Sequence, residues 1–252
     1  MSFAVAATAY DRFMGRYSEP LAPVFADFAG ITSGERVLDV GSGPGALTAE
    51  LVRRVGAESV VAVDPSEPFV TAARERFPEV EVQRAPAEEL PFAAHSFDAA
   101  LAQLVVHFMA DPVAGIREMA RVSRPGGVVA ACVWDHAGTG GPLSRFWEVA
   151  HELRPDLDDE SHLPGTREGH LAELFAAAGL AEVADGSVSI SVEHPTFEDW
   201  WEPFTLGVGP AGAHVAALDP AAREELRERC RERLPEPPFV VSARAWAARA
   251  RS

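Results

Sequence analysis

The sequence predicts an α/β fold in which a mostly parallel sheet is covered by helices on both faces. Three observations carry this. Strand-like and helix-like patterns alternate through the first half. The first strand runs straight into a glycine-rich bend that opens a helix. The next strand ends on a carboxylate. Strands separated by helices cannot pair as hairpins and give a parallel sheet instead.

The elements follow in order. Residues 36–40 (RVLDV) form a short apolar run ending in glycines. Residues 46–55 (ALTAELVRRV) place Leu47, Leu51, Val52 and Val55 at helical spacing, with Gly56 as the stop. Residues 59–63 (SVVAV) are β-branched and strand-like. A helix is expected over 68–77 with Ser66 as its cap, then a short strand at 79–83 (EVEVQ) and another at 96–104 (SFDAALAQL). Asp111 and Pro112 supply an N-cap and an N1 proline for a helix running to about Ser123. Residues 124–127 (RPGG) read as a turn before a buried strand, 128–134 (VVAACVW). The second half is less regular. Helices are expected at 143–153, 169–178 and 220–234, strands at 187–192 and 239–247, and glycine-rich loops at 137–142 and 207–212. No linker divides the halves, so the 252 residues read as one domain whose second half builds onto the first.

The formal net charge of −16 argues against nucleic acid or an anionic membrane surface as the main partner, since both would be repelled. Hydrophobic residues at 47% and charged residues at 24% suit a folded globular protein. No apolar run is long enough to span a bilayer, and the N-terminus lacks the basic start of a secretory signal. The two cysteines, Cys132 and Cys230, form neither a disulfide framework nor a zinc pattern, and a reducing cytoplasm is the simplest compartment. No metal-ligand spacing appears.

The most specific feature is Val37-Leu38-Asp39-Val40-Gly41-Ser42-Gly43-Pro44-Gly45 at a strand-to-helix junction. Alternate glycines let the backbone turn tightly and approach a ligand. Asp64 ends the next strand, where such a unit places a carboxylate on a ribose diol. The loop also fits the dinucleotide fingerprint, with Ala46 in the last position. Asp39 decides between the two. A carboxylate beside a pyrophosphate would repel it in a low-dielectric cleft. It suits a ligand carrying an ammonium and a sulfonium, and S-adenosylmethionine carries both.

VLDVGSGPG, VVAVDPSE, AEELPFAAHSFDAALAQLVVHF and RVSRPGG, in this order, resemble the motifs of class I S-adenosylmethionine-dependent methyltransferases. The resemblance is to the small-molecule group related to the ubiquinone and menaquinone-biosynthesis enzymes, and it covers about the first 135 residues. It implies a Rossmann-like, doubly wound sheet of seven strands, the last antiparallel, with a helical cap. Within it, residues 1–30 would form a lid, 31–135 the cofactor-binding core, and 136–252 the remaining strands with cap insertions. By the resemblance, Gly41, Gly43 and Gly45 pass beside the methionine part, Asp64 binds the ribose hydroxyls, and Pro65 and Ser66 lie near the adenine, with Ser42 grouped with the cofactor contacts. The family usually has Asp-Ala in its adenine segment, where this chain has Pro86-Ala87. The Ala87 N–H can still serve. Glu88 is read either as the replacement acceptor or as a solvated loop charge. The opening YDRFMGRYSEPL resembles the family's segment that folds over the cofactor. Tyr10 and Tyr17 would offer aromatic faces to a sulfonium and Arg16 a partner for the methionine carboxylate. The alternative is an amphipathic helix whose aromatics pack on the core.

An acceptor pocket is implied above the carboxyl ends of the strands. Gln103, His107 and Phe108 follow the fourth strand, with Gln103 grouped with the cofactor contacts. His107 is the candidate general base, its ordinary pKa being near 6.5; the alternative is a hydrogen-bonded loop histidine. Trp134, Asp135 and His136 end the fifth strand. Phe197, Trp200, Trp201 and Phe204 have near-helical spacing behind a Thr196/Asp199 capping box, and would either cap the pocket or pack as core. The expected function is cytoplasmic methyl transfer to a small molecule by a monomer or homodimer. The alternatives are an NAD(P)-dependent oxidoreductase, which Asp39 disfavours, and a non-catalytic S-adenosylmethionine-binding protein.

Overall fold

The computed structural model describes residues 7–252, so the first six residues of the expected lid segment lie outside the described residues. The chain opens with α1 (Ala7–Tyr10), a π-helical turn (Asp11–Gly15) and α2 (Arg16–Ala29). Then follow β1 (Val37–Val40), α3 (Ala46–Val55), β2 (Val60–Asp64), α4 (Glu67–Arg76) and β3 (Glu81–Arg84). β4 (Phe97–Gln103), α5 (Pro112–Val122) and β5 (Ser123–Trp134) complete the first half. The second half holds α6 (Ser144–Leu153), α7 (His170–Ala177), β6 (Ala184–His194), α8 (Phe197–Trp201), α9 (Gly209–Ala217), α10 (Pro220–Arg233) and β7 (Phe239–Arg251).

The strands form one seven-stranded sheet in the order β3-β2-β1-β4-β5-β7-β6. β7 runs antiparallel to both its neighbours, and the other pairings are parallel. Strand order reverses between β1 and β4, so the chain leaves the two strands in opposite directions and a crevice opens at their carboxyl ends. Alternation along each strand splits the core in two. Val37, Ala62, Leu101 and Cys132 face the layer containing Leu21 and Phe25 of α2 and Leu51 of α3. Leu38, Val61, Ala100 and Val129 face Ile116 and Met119 of α5 and Phe175 of α7. Being buried on both sides, these strands read as unbroken apolar runs.

A third cluster lies away from the sheet and joins α6, α8, α9 and α10 to the N-terminal π-turn. The aromatic segment after Thr196 belongs to it. Phe204 stacks on Phe146, with ring centres 4.5 Å apart and planes at 11°, and meets Phe13 edge-on at 5.2 Å. Of the two readings of this segment, core packing is the one its side chains adopt.

Three local expectations need correction. The RPGG segment is no separate turn. β4 and β5 already pair at Phe97 and Ser123, and regular register resumes at Ala99 and Val128, so the intervening residues bulge from a continuous strand. Gly126 there takes φ +78° and donates its N–H to the Ser252 carbonyl. Ser66 occupies the N-cap position of α4, but its side chain makes no capping bond. Only half the capping box of α8 forms: Thr196 accepts from the Asp199 N–H at 3.1 Å, while the Asp199 carboxylate turns to Arg16 and His194. Asp111 and Asp219 cap α5 and α10 through their side chains as expected. Among the described residues no helix is long and apolar enough to cross a membrane.

Truncating Phe204 to Ala should remove about 3–5 kcal/mol of stability in urea denaturation, because the ring is buried and its stacking partners cannot close the cavity. A loss below about 1 kcal/mol would mean that the aromatic cluster is not packed as described.

Candidate active site

The bend after β1 is shaped by what glycine lacks. Gly41 has φ +70°, and a Cβ there would stand 2.2 Å from a Val105 methyl; Gly45 has φ +97°, and its Cβ would stand 2.4 Å from the Phe77 ring. Both positions combine left-handed backbone with close approach, so any side chain is excluded. A Cβ on Gly43 would meet nothing within 4 Å, because that stretch faces open space. The Gly41 and Ser42 N–H groups both donate to the Val63 carbonyl, at 2.8 and 3.0 Å, which pins the bend to the end of β2.

Two carboxylates face this bend. Asp39 is buried, and its Oδ2 accepts the Thr48 hydroxyl at 2.6 Å. Burial pushes its carboxyl up to about 7; the Thr48 bond opposes this and the nearby Asp64 carboxylate adds to it. Asp64 accepts the Gly43 N–H at 2.9 Å and the Ser66 N–H at 2.8 Å, one on each oxygen. Burial still raises its pKa above the ordinary value, outweighing both bonds. Beside Asp39 stand two more polar atoms, the Ser42 Oγ and the Gln103 Oε1. Both are buried and without a hydrogen-bond partner among the described residues. The Gln103 amide nitrogen is anchored, donating to the Ser18 carbonyl of α2 at 3.0 Å.

These groups line a cleft of about 280 Å³ and a smaller recess beside it, both at the carboxyl ends of β1, β2 and β4. No Arg or Lys is among the described lining residues. A set of buried acceptors without a cation fits a ligand that brings an ammonium and hydroxyl donors, as S-adenosylmethionine does, and would repel a pyrophosphate. Tyr10, Phe69, Leu104 and Phe108 line both this cleft and an adjoining pocket that His107, Trp134, His136 and Glu160 also border. Leu104 holds φ +61° where the chain leaves β4, a strained conformation costing on the order of 1 kcal/mol that turns the backbone into the crevice.

Residues 38–131 match the family described as "Methyltransferase domain". Over those residues the chain is similar to the class I S-adenosylmethionine-dependent methyltransferases. An uncharacterized methyltransferase of Mycobacterium bovis is 40% identical over 135 residues, 54% of this chain and 52% of that protein. The chloroplastic 2-methyl-6-phytyl-1,4-hydroquinone methyltransferase 2 of Oryza sativa subsp. japonica is 34% identical over 150 residues, 59% of this chain and 39% of that protein. The matches thus span about half the length of these curated relatives, or less. The fold resembles that of Haemonchus contortus phosphoethanolamine N-methyltransferase 2, solved with phosphomonomethylethanolamine and S-adenosylhomocysteine. The TM-score is 0.59 at 19% identity, covering 97% of this chain and 56% of that one.

The fold brings most of the sequence-predicted site residues to one place. Gly41, Gly43, Asp64, Pro65, Ser66, Ala87 and Glu88 line the cleft, and Asp39, Ser42 and Gln103 line the recess. Tyr10 borders the cleft, the recess and the pocket. Gly45 does not line the cleft and serves the turn into α3. Glu88 is half-buried at the cleft edge, and its Oε1 accepts the Asp111 N–H at 3.2 Å, so it also ties the adenine-segment loop to α5. Arg16 and Tyr17 lie elsewhere. The Arg16 guanidinium pairs with Asp199 at 3.0 Å, and the buried Tyr17 hydroxyl bonds His194 Nε2 at 3.1 Å. Of the two readings of the opening segment, these two residues follow the one in which it packs on the core, while Tyr10 lines the cavities. Phe69, Met109, Ser18 and Glu160 were not anticipated. Ser18 contributes through its backbone carbonyl, which residue type does not signal, and Phe69, Met109 and Glu160 sit on a helix and two loops outside the quoted motifs.

Gly41→Ala should lower the melting temperature by several degrees, since it adds both a positive-φ penalty and an overlap with Val105. An unchanged melting temperature would show that the bend tolerates a side chain.

Proposed function

We propose that this protein is a methyltransferase that moves a methyl group from S-adenosylmethionine to a small, largely apolar molecule held in the adjoining pocket. The observation carrying this reading is the pair of buried carboxylates beside a bare backbone bend, in a cleft that opens into an apolar cavity. When bound, S-adenosylmethionine supplies an electrophilic methyl group on a sulfonium.

In this reading Asp39 and the Gln103 Oε1 accept from the ligand's ammonium, with the Ser42 hydroxyl beside them. Gly41 and Gly43 give the ligand room against the backbone. Asp64, its oxygens already oriented by two backbone N–H groups, accepts the ribose hydroxyls. Pro65, Ser66 and Ala87 flank the base, and Glu88 closes that edge. Tyr10 and Phe69, whose rings lie 5.2 Å apart, close over the sulfonium as the working part of an N-terminal lid. A lid of this kind excludes water and aligns the reactants, which is most of what an in-line displacement requires.

His107 is buried, and burial holds its pKa well below the ordinary histidine value, with His136 adding to the effect. It is therefore a neutral imidazole at physiological pH. Its Nδ1 has no hydrogen-bond partner among the described residues, so it can take a proton from an acceptor that must lose one. The hydroquinone in the rice relative's name supports an apolar, proton-bearing acceptor. Cys132 and Cys230 are both free and buried, which is consistent with assignment to a reducing cytoplasm.

Asp64→Ala should weaken S-adenosylhomocysteine binding by about 1–3 kcal/mol in calorimetry; an unchanged dissociation constant would remove its ribose role. pH gives a second check. Asp39's pKa is raised in the folded protein, so its stabilising contribution is present at low pH and fades as pH rises towards and through about 7. A bound ammonium favours the ionised carboxylate, so S-adenosylhomocysteine affinity should climb from pH 5 to 7.5, and the climb should flatten in Asp39→Asn. The same climb in that variant would assign it to Asp64 or another group. Donor binding with no S-adenosylhomocysteine release for any acceptor class would favour the non-catalytic binding protein.

A further inference from the structure

The adjoining pocket is mostly greasy. Phe13, Phe69, Phe108, Leu143 and Val208 supply its walls from the N-terminal π-turn, α4, the turn after β4, the approach to α6 and the approach to α9. Within this lining sit three polar atoms that are buried and lack a hydrogen-bond partner among the described residues: Trp134 Nε1, His107 Nδ1 and Glu160 Oε2. Buried polar atoms are nearly always satisfied, and each one left unmade is destabilising. Three such atoms on residues that line one cavity point to a ligand with matching polarity.

Their chemistry narrows what that ligand can be. The Trp134 indole N–H only donates. Glu160 lies on the loop between α6 and α7, and burial pushes its carboxyl up to about 7. The Trp147 indole, which opposes that shift, does not reach hydrogen-bonding geometry. No Arg or Lys is among the described lining residues. The two histidines add no positive charge at neutral pH: burial brings His136 down to about 4, and His107 is likewise held neutral. A carboxylate or phosphate on the ligand would therefore face an acid and no base. An ammonium would satisfy Glu160 but offer no lone pair to Trp134. A ketone would satisfy Trp134 but bring no hydrogen to the ionised form of Glu160. A hydroxyl does both, since its oxygen accepts while its hydrogen is donated.

We infer that this pocket binds an uncharged apolar molecule through a hydroxyl group, with Glu160 accepting its hydrogen and Trp134 donating to its oxygen. Calling this molecule the methyl acceptor rests on the donor-site reading above; the binding itself does not.

The test uses the purified protein without donor at pH 8, where Glu160 is ionised, and three probes of similar shape: p-cresol, toluene and p-toluate. Ligand-observed NMR titration should rank p-cresol at least tenfold tighter than toluene, with no binding of p-toluate. Glu160→Leu should bring p-cresol and toluene within about threefold of each other. Glu160→Gln removes the charge but keeps an acceptor oxygen, so it should retain the preference for p-cresol and begin to admit p-toluate. Equal binding of p-cresol and toluene to the wild-type protein, no binding of any probe, p-toluate as the tightest ligand, or a preference for p-cresol that survives in Glu160→Leu would each overturn the inference. The wild-type ranking decides even if a variant fails to fold. Calorimetry with S-adenosylhomocysteine runs in parallel: its failure to bind would remove the donor-site reading and leave the probe ranking untouched.

Discussion

Asp39 and Asp64 stand at the ends of adjacent strands, buried and with no Arg or Lys among the described residues that line their cleft. Placing two carboxylates out of water costs far more than ordinary packing returns, unless hydrogen bonds or an incoming charge offset it. The fold offsets part of this locally. Thr48 bonds one carboxylate, and the backbone N–H groups of Gly43 and Ser66 bond the other. The remainder appears as raised pKa values, a standing preference for something positive or hydrogen-donating in the cleft. The glycine bend serves the same end. Only bare backbone lets Gly43 reach Asp64 while Val105 packs against Gly41.

The rest of the molecule holds other groups against that cleft. α2 is anchored to the sheet and cap by a partly buried network in which His194 meets both Tyr17 and Asp199, and Asp199 meets Arg16. Ser18 takes the Gln103 amide, which turns the other end of that side chain towards Asp39. With α2 fixed in this way, the preceding π-turn brings Phe13 and Met14 to the pocket and Tyr10 to the boundary between pocket and cleft. The aromatic cluster of α6, α8 and α9 does similar work from the other side. Phe146 and Phe204 lock the helices together, and Val208 and Ala211, at and beside the start of α9, become pocket wall.

A second buried acid network shapes the loop after β5. Asp135 accepts from the Gly138 and Gly140 N–H groups, from Arg244 at 2.6 Å and from the Trp246 indole at 3.1 Å. That satisfied carboxylate sits between Trp134 and His136, so the two pocket residues project from a rigid base. The contrast with Glu160 is instructive. One acid has its partners within the protein, and the other keeps an oxygen unmatched at the cavity.

Most of what depended on neighbours in the chain was legible in the residues. The alternating strands and helices, the caps at Asp111 and Asp219, the glycine bend and its two carboxylates follow from local spacing, because short-range backbone geometry and apolar periodicity act within a few residues. Contacts between distant segments were not legible. Arg16 and Tyr17 looked like cofactor contacts beside Tyr10, yet their partners lie almost two hundred residues away at His194 and Asp199. Nothing near position 160 marked Glu160 for the pocket. Side-chain direction and burial there are set by helices packing across the sheet, and desolvation, which decides whether a buried acid is braced or left unmatched, exists only once those helices have met.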